Sequence, residues 1–303
     1  MIVVNAPLPA WGSFTKDQAT HRFLTQRQCP LLATVCVTLD NVTGTLTLSC
    51  TDETTSSVST TGQTKGKSKV VLPESVTVNT KPAVGSPVYR STLWSDLVQV
   101  QDMGDVAADF FQQILDLDHR VPDELKAAGV RMVVQSANDT RSTDDNYVPA
   151  AARSWLGQSP ATALVDGFPI LIACESSLQE LNRRLIVKGK TPLPMSRFRP
   201  NIVLTGTEPF EEDNWKIISI GGILFHVVKG CPRCKESCTD QTTGNVTEEP
   251  LETLAEFRAL DPANAENLFF AQNAIPAVGA VGETIEVGAT VQILQRGEPV
   301  WGD

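Results

Sequence analysis

Three of the chain's seven cysteines, Cys231, Cys234 and Cys238, fall in the stretch "CPRCKESC". Thiolates ligate metals, exchange disulfides and attack electrophiles, so the spacing C-x2-C-x3-C raises several chemistries. A structural zinc site needs four ligands, commonly as two separated pairs, and the second pair is missing unless His226 of "ILFHVV" serves. An iron–sulfur cluster also needs a fourth thiolate, and the run C-x2-C-x2-C-x3-C-P is not matched. A thioredoxin-like C-x-x-C opens a helix in a βαβ unit, whereas "CPRC" follows what reads as a hairpin strand. The remaining reading is one functional thiolate, Cys234, between Arg233 and Lys235, whose charges favour the ionised sulfur.

Arginines extend the last reading. Arg27 in "RFLTQRQ" precedes a strand, and Arg197 and Arg199 in "SRFRPN" precede another. A planar guanidinium holds phosphate or carboxylate bidentately, so arginines at strand ends are able to converge on an anion, or else form surface ion pairs. No phosphate-binding loop, dinucleotide fingerprint, zincin helix or nucleophile elbow occurs. Three histidines (His21, His119, His226) leave little for a multi-histidine metal site, and His226 in its apolar run reads as a packed core residue.

Those side chains need a scaffold, and 303 residues suffice for one large or two ordinary domains. The apolar content of 41% and charged content of 20% describe a globular chain. A net charge of -10 argues against a nucleic-acid partner, which would call for a basic face. The cysteines are odd in number and unevenly spaced, which favours a reducing, intracellular compartment over a secreted disulfide framework. The sequons at Asn41, Asn138 and Asn245 read as chance, and no apolar run suffices to span a membrane.

Residues 31–39 read as a buried strand and 44–50 as a half-buried one. A Ser/Thr/Lys-rich stretch follows, so 51–88 is expected to be a mobile insertion. An amphipathic helix is expected over 103–118, a strand over 130–136 and a polar seam over 137–147. A strand at 168–174 leads into a helix with a capping box between Ser177 and Glu180 and a stripe of Leu178, Leu181 and Leu185. Further strands are expected at 201–206, in a hairpin over 215–230 turning at Gly221-Gly222, and at 284–294. A helix over 248–260 has Pro250 in its first turn. The class is mixed α and β, β-rich.

Read in order, "RFLTQRQCPLL", "FPILIACESSLQELN", "RFRPNIVLTG", "CPRC....TD..TG", "EPLETLAEFR" and "VGATVQIL" resemble the MOSC proteins, and most nearly the mitochondrial amidoxime-reducing branch. The resemblance implies an N-terminal β-barrel-like domain (1–135) followed by a β-barrel MOSC domain (136–303). Because "HRFLTQRQ" is reached after twenty residues, the first barrel strands are expected to be missing. It also implies the molybdenum cofactor, a molybdopterin, with Cys234 as the protein's sulfur ligand and metal site. Cofactor contacts would come from Arg27, Asp166, Gly167, Phe168, Arg199, Asn201, Pro232 and Arg233. Asp166 would also be a catalytic proton donor, and Cys231 a neighbour of the site.

The implied activity is reduction of N-hydroxylated compounds such as amidoximes and hydroxylamines. Electrons would come from NADH through cytochrome b5 and NADH-cytochrome b5 reductase. Members of the family are often tethered to the mitochondrial outer membrane, and the anchor is expected to be absent here. An association with pyridoxal phosphate is also implied. Two other readings stay open: a carrier of persulfide sulfur or of the cofactor without turnover, and a truncated, inactive product.

Overall fold

The structure is a computed structural model that describes residues 2–4, 21–51, 72–93, 96–137, 139, 141–143, 145–148, 161–164, 167–277, 279–280 and 282–302. The chain forms two compact units, one of residues 1–140 with 239–247 and one of residues 141–238 with 248–303.

In the first unit the strands are β1 (Ile2–Val4), β2 (His21–Leu24), β3 (Val35–Asp40), β4 (Thr45–Cys50), β5 (Val76–Asn79), β6 (Val88–Leu93), β7 (Asp96–Asp102) and β8 (Val130–Gln135). Five of them close a barrel in the order β1-β2-β6-β7-β8, and β3-β4-β5 make a separate antiparallel sheet. Helix α1 (Asp105–Leu117) carries the amphipathic pattern expected of it, with Phe110, Phe111, Ile114 and Leu115 buried. These side chains share one core with Leu24 and Val130 of the barrel and Leu48 of the small sheet. Each such side chain contributes on the order of 2 kcal/mol by leaving water, so the helix joins barrel to sheet.

Two expectations are corrected here. Residues 31–39 are not a buried strand: Pro30–Thr34 is a 3-10 turn, and β3 is exposed beyond Val35. β3 lies at the sheet edge, and the central strand's Leu48 takes the contact with the core. The expected insertion over 51–88 contains β5, which pairs Leu48 with Val76 and Leu46 with Val78; residues 52–71 lie outside the described residues. β1 pairs with both β2 and β8, which closes the barrel at Ile2–Val4. "IVV" is a short β-branched run that was too brief to stand out.

The second unit holds β9 (Arg141–Ser142), β10 (Ala161–Thr162), β11 (Ile170–Cys174), β12 (Ile202–Leu204), β13 (Trp215–Ile220), β14 (Ile223–Pro232), β15 (Phe269–Pro276) and β16 (Val291–Arg296). Six strands form a sheet in the order β12-β11-β15-β14-β13-β16. β11 and β12 are parallel, and the crossover contains helix α2 (Glu175–Val187). Gly221 and Gly222, both at positive φ (60° and 90°), turn β13 into β14 as a two-residue hairpin requires. The class is the expected one, mixed α and β with strands dominant.

Two local expectations differ. Ser177 does not cap α2; it lies inside the helix and donates to the buried Glu212 carboxyl at 2.7 Å, while Glu180 pairs with Arg183 and Arg184. The expected helix over 248–260 shrinks to Leu251–Leu254, because Arg258 turns inward to an ion pair that a continuing exposed helix would not serve.

Residues 239–247 fold with the first unit through Arg120 Nη1 to Gly244 O (3.0 Å), Thr51 Oγ1 to Thr242 O (2.7 Å) and a Gln26–Gln241 amide pair. Gly244 has φ +69°, and a Cβ there would lie 3.1 Å from Pro30 O and 3.2 Å from Leu31 Cα. Both the left-handed backbone and the backbone neighbours oppose a side chain. Gly244→Ala is therefore expected to cost about 2 kcal/mol, read as a lowered denaturation midpoint.

Burial pushes the Glu212 carboxyl above its ordinary value, although Ser177 hydrogen-bonds it. A raised folded pKa means that folding is disfavoured as pH climbs through and above the unfolded value, where only the unfolded state ionises freely. Glu212→Gln is expected to raise stability more at pH 8 than at pH 5, measured by urea denaturation at both. An equal effect at both pH values would contradict this.

Candidate functional site

Strand β14 ends at Pro232, opposite Phe269 of β15, after a bulge between Gly230 and Pro232. The pairing continues irregularly, with Arg233 N donating to Leu268 O at 2.7 Å. Cys234 follows, and the chain at once tightens into the 3-10 turn Lys235–Cys238. Ser237 closes that turn by donating both its amide (3.0 Å) and its hydroxyl (2.8 Å) to Cys234 O. Cys234 thus stands at a strand exit, partly exposed, on a backbone whose carbonyl is occupied.

A second 3-10 turn, Met195–Phe198, lies against the first. Arg197, 5% exposed, donates Nη1 to Cys238 O at 2.7 Å. In the opposite direction Arg233 donates Nη2 to Phe198 O at 3.0 Å, and its Nη1 reaches Cys231 Sγ at 3.0 Å. Arg199 follows in the left-handed region (φ 54°, ψ 44°) and comes within 3.6 Å of Glu236. Phe198 itself stacks on Phe270 of β15 at 3.8 Å between centroids. The two turns therefore tie to each other on either side of Cys234. They carry four cations (Arg197, Arg199, Arg233, Lys235) and one carboxylate, Glu236.

The other expected site residues are placed as follows. Pro232 is exposed at the end of β14. Asn201 accepts from Leu171 N with Oδ1 at 2.8 Å and donates its own amide to Leu171 O, which holds β12 beside β11. Phe168 is half-buried, edge-on to Tyr147 at 6.0 Å, beside Val228 and Ile275. Gly167 is described and partly buried, whereas Asp166 lies outside the described residues. Arg27 belongs to the first unit, exposed in the turn Thr25–Gln28. Cys234, Arg233, Arg199 and Pro232 come together; Asn201 adjoins them through the chain after Arg199.

All seven cysteines are free thiols. Burial and the neighbouring Asp118 push Cys29 up to about 12, and burial raises Cys174 and Cys238 too, so these three are held as neutral thiols. His226 is buried in β14, and burial lowers its pKa. Among the described residues no group of three or more His, Cys, Asp or Glu side chains is placed to hold a metal ion. A multi-ligand zinc or iron–sulfur site therefore has no described cluster to occupy. A group taking one sulfur and bringing its own remaining ligands has no such requirement. Arg233 Nε is a buried donor with no partner among the described residues, which suits an anionic group arriving beside Cys234.

Sequence reading missed the residues that brace this backbone. Arg258 pairs with Asp213 (2.7 and 3.0 Å) and donates Nε to Phe269 O at 2.9 Å. Trp301 packs on Phe269, and a Cβ at Gly230 would come within 2.6 Å of the indole. Their signal was faint: an arginine in "EFRAL" and a tryptophan near the last residue carry no spacing rule. Arg197, an anion candidate from the sequence, is buried and gives its Nη1 to Cys238 O. Arg197→Met is expected to cost about 2 kcal/mol, the scale of a buried hydrogen bond from a charged donor, and to speed alkylation of Cys234 in peptide mapping. An unchanged alkylation rate would show that the tie does not restrain the Cys234 turn.

The MOSC domain family matches residues 160–300. The chain is 30% identical over 279 residues to mitochondrial amidoxime reducing component 2 of Rattus norvegicus, covering 92% of this chain and 69% of that protein. With the Bos taurus protein of the same name it shares 30% over 237 residues, 78% of this chain and 61% of the relative. A molybdenum cofactor sulfurase of Oryza sativa is 42% identical over 96 residues, 29% of this chain and 12% of that protein. The chain thus spans about three fifths of the bovine relative's length. Among the described residues no helix is long and apolar enough to cross a membrane. With 30% identity over 69% of the rat protein's length and a MOSC domain match over 160–300, the chain belongs to the mitochondrial amidoxime reducing component family of MOSC proteins.

Proposed function

We propose that the chain is a molybdenum-cofactor-dependent oxidoreductase that reduces N-hydroxylated compounds such as amidoximes, with Cys234 as the protein's sulfur ligand. The single observation that carries this reading is the partly exposed Cys234 beside Arg233, whose buried Nε has no partner among the described residues. A thiol and an unsatisfied cationic donor next to each other suit a group that is anionic and takes one sulfur. The family points to the molybdenum cofactor as that group. When bound, the cofactor supplies the two-electron chemistry at the metal.

The chain's own residues have narrower duties. Cys234 supplies the thiolate from a turn braced by Ser237, which limits how far the sulfur wanders. Arg233 offers Nε to the pterin or its phosphate, and Arg199, half-exposed in its left-handed turn, reaches out for the same anion. Pro232 removes a backbone donor beside the sulfur and stiffens the strand exit. Asn201, an exposed residue, keeps Oδ1 on Leu171 N. By the family resemblance, Gly167 and Phe168 adjoin the cofactor and Asp166 is the proton donor. Electrons reach the site from NADH through cytochrome b5 and its reductase, at the mitochondrion. Pterin and substrate both need an entrance, which the partial exposure of Cys234 supports.

A second reading has support from the likeness to the rice molybdenum cofactor sulfurase: Cys234 carries sulfur, or the unit passes the cofactor on, without turnover. Metal analysis separates the two. Protein purified from a cofactor-producing host is expected to hold molybdenum near one per chain and to reduce benzamidoxime with the haem donor. Cys234→Ser is expected to lose at least 100-fold in activity, since the ligand sets the metal's chemistry. Labile sulfane sulfur on Cys234 without turnover would favour the carrier, and zinc lost on the same substitution would overturn both.

A further inference from the structure

The Cys231 thiol of "CPRCKESC" meets an arginine side chain. Arg233 Nη1 donates to Cys231 Sγ at 3.0 Å, while Nη2 donates to Phe198 O at the same distance. The guanidinium carbon also stands 5.5 Å over the Phe198 ring. A guanidinium is planar, so anchors on its two terminal nitrogens fix the plane and with it the direction of Nε–H. That Nε is a buried donor without a partner among the described residues. The anchors differ in kind. Phe198 O belongs to a turn tied down by Arg197, so it is part of the scaffold. Cys231 Sγ is a side-chain atom two residues before Arg233, on the last bulge of β14.

We infer that Cys231 is a positioning residue: its sulfur accepts from Arg233 Nη1 and thereby aims Arg233 Nε at the anionic part of the bound group. The C-x-x-C spacing then has a use in the contact of Cys231 Sγ with Arg233 Nη1 and needs no dithiol exchange with Cys234. Sulfur is a weak acceptor, and it is large enough to fill the gap between strand exit and guanidinium. A hydroxyl at this position keeps the acceptor, whereas a methyl removes it. This assignment rests on the proposed role of Arg233 toward the molybdenum cofactor.

The test uses the full chain from a cofactor-producing host and follows molybdenum loss by mass spectrometry during dialysis, with melting temperatures measured alongside. Cys231→Ala and Arg233→Gln are each expected to release molybdenum roughly tenfold faster, the scale of one charge-assisted hydrogen bond. Cys231→Ser is expected to hold it as the parent does. The double variant Cys231→Ala, Arg233→Gln is expected to be no faster than Arg233→Gln alone, because a residue acting only through Arg233 has nothing left to position. Release from Cys231→Ala at the parental rate, with Arg233→Gln fast, would sink the positioning role and leave the cofactor reading standing. Cys231→Ser releasing as fast as Cys231→Ala would also overturn it, since an acceptor would then not suffice. Parental retention in Arg233→Gln would remove the cofactor role of Arg233 and the inference together. Additive rates in the double variant would assign Cys231 an independent structural effect and overturn the proposal.

Discussion

A buried charge has to be matched where it stands, and the pair Arg258–Asp213 imposes that condition on the MOSC unit. Arg258 is 4% exposed, donates to both Asp213 oxygens and gives its remaining Nε–H to Phe269 O. Gln272 adds a third donor to Asp213 at 2.8 Å. The guanidinium lies 4.2 Å from the Phe210 ring centre and 5.4 Å from that of Trp301. Desolvation of an ion pair is repaid only when geometry and remaining hydrogen bonds are supplied in full, as they are here. The start of β15 is thereby pinned, and β15 is the strand against which Pro232 and Arg233 lie.

From that strand the order passes outward to the cysteine turn by short, mostly backbone links. Leu268 O receives Arg233 N, Phe270 stacks on Phe198, and Phe198 O receives Arg233 Nη2. Arg197 returns the tie to Cys238 O. Two 3-10 turns joined in both directions leave little freedom to the residue between them, which is Cys234. A cofactor that supplies its own redox chemistry asks the protein for placement and charge, and this arrangement provides those two things.

The candidate site was legible in outline because its residues are close in sequence. The C-x-R-C stretch and the F-R-P-N stretch are each continuous, and each sits at the end of a strand that apolar patterning reveals. What was not legible is which of their donors face inward. Arg197 and Arg199 are two positions apart and alike in type, yet one is buried against a carbonyl and the other is half-exposed. Arg199 sits in the left-handed region where the 3-10 turn ends, and periodicity carries no trace of that. Glu212 and Ser177 illustrate the same limit: a serine at capping-box spacing was claimed by a carboxyl 35 residues away.

The amino-acid sequence determined by itself the amphipathic helix over Asp105–Leu117, the Gly221-Gly222 hairpin, the β11–α2 succession, the strand-rich class and the family. These are local or patterned features, set by side-chain periodicity and by the backbone freedom of glycine. Tertiary structure decided that Ile2–Val4 closes the barrel, that 239–247 fold with the first unit, that β3 is an exposed edge and that Cys231 Sγ accepts from Arg233. Each of those outcomes depends on a partner distant in the chain or on a bulge, and hydrogen-bond satisfaction among such partners is a property of the packed whole.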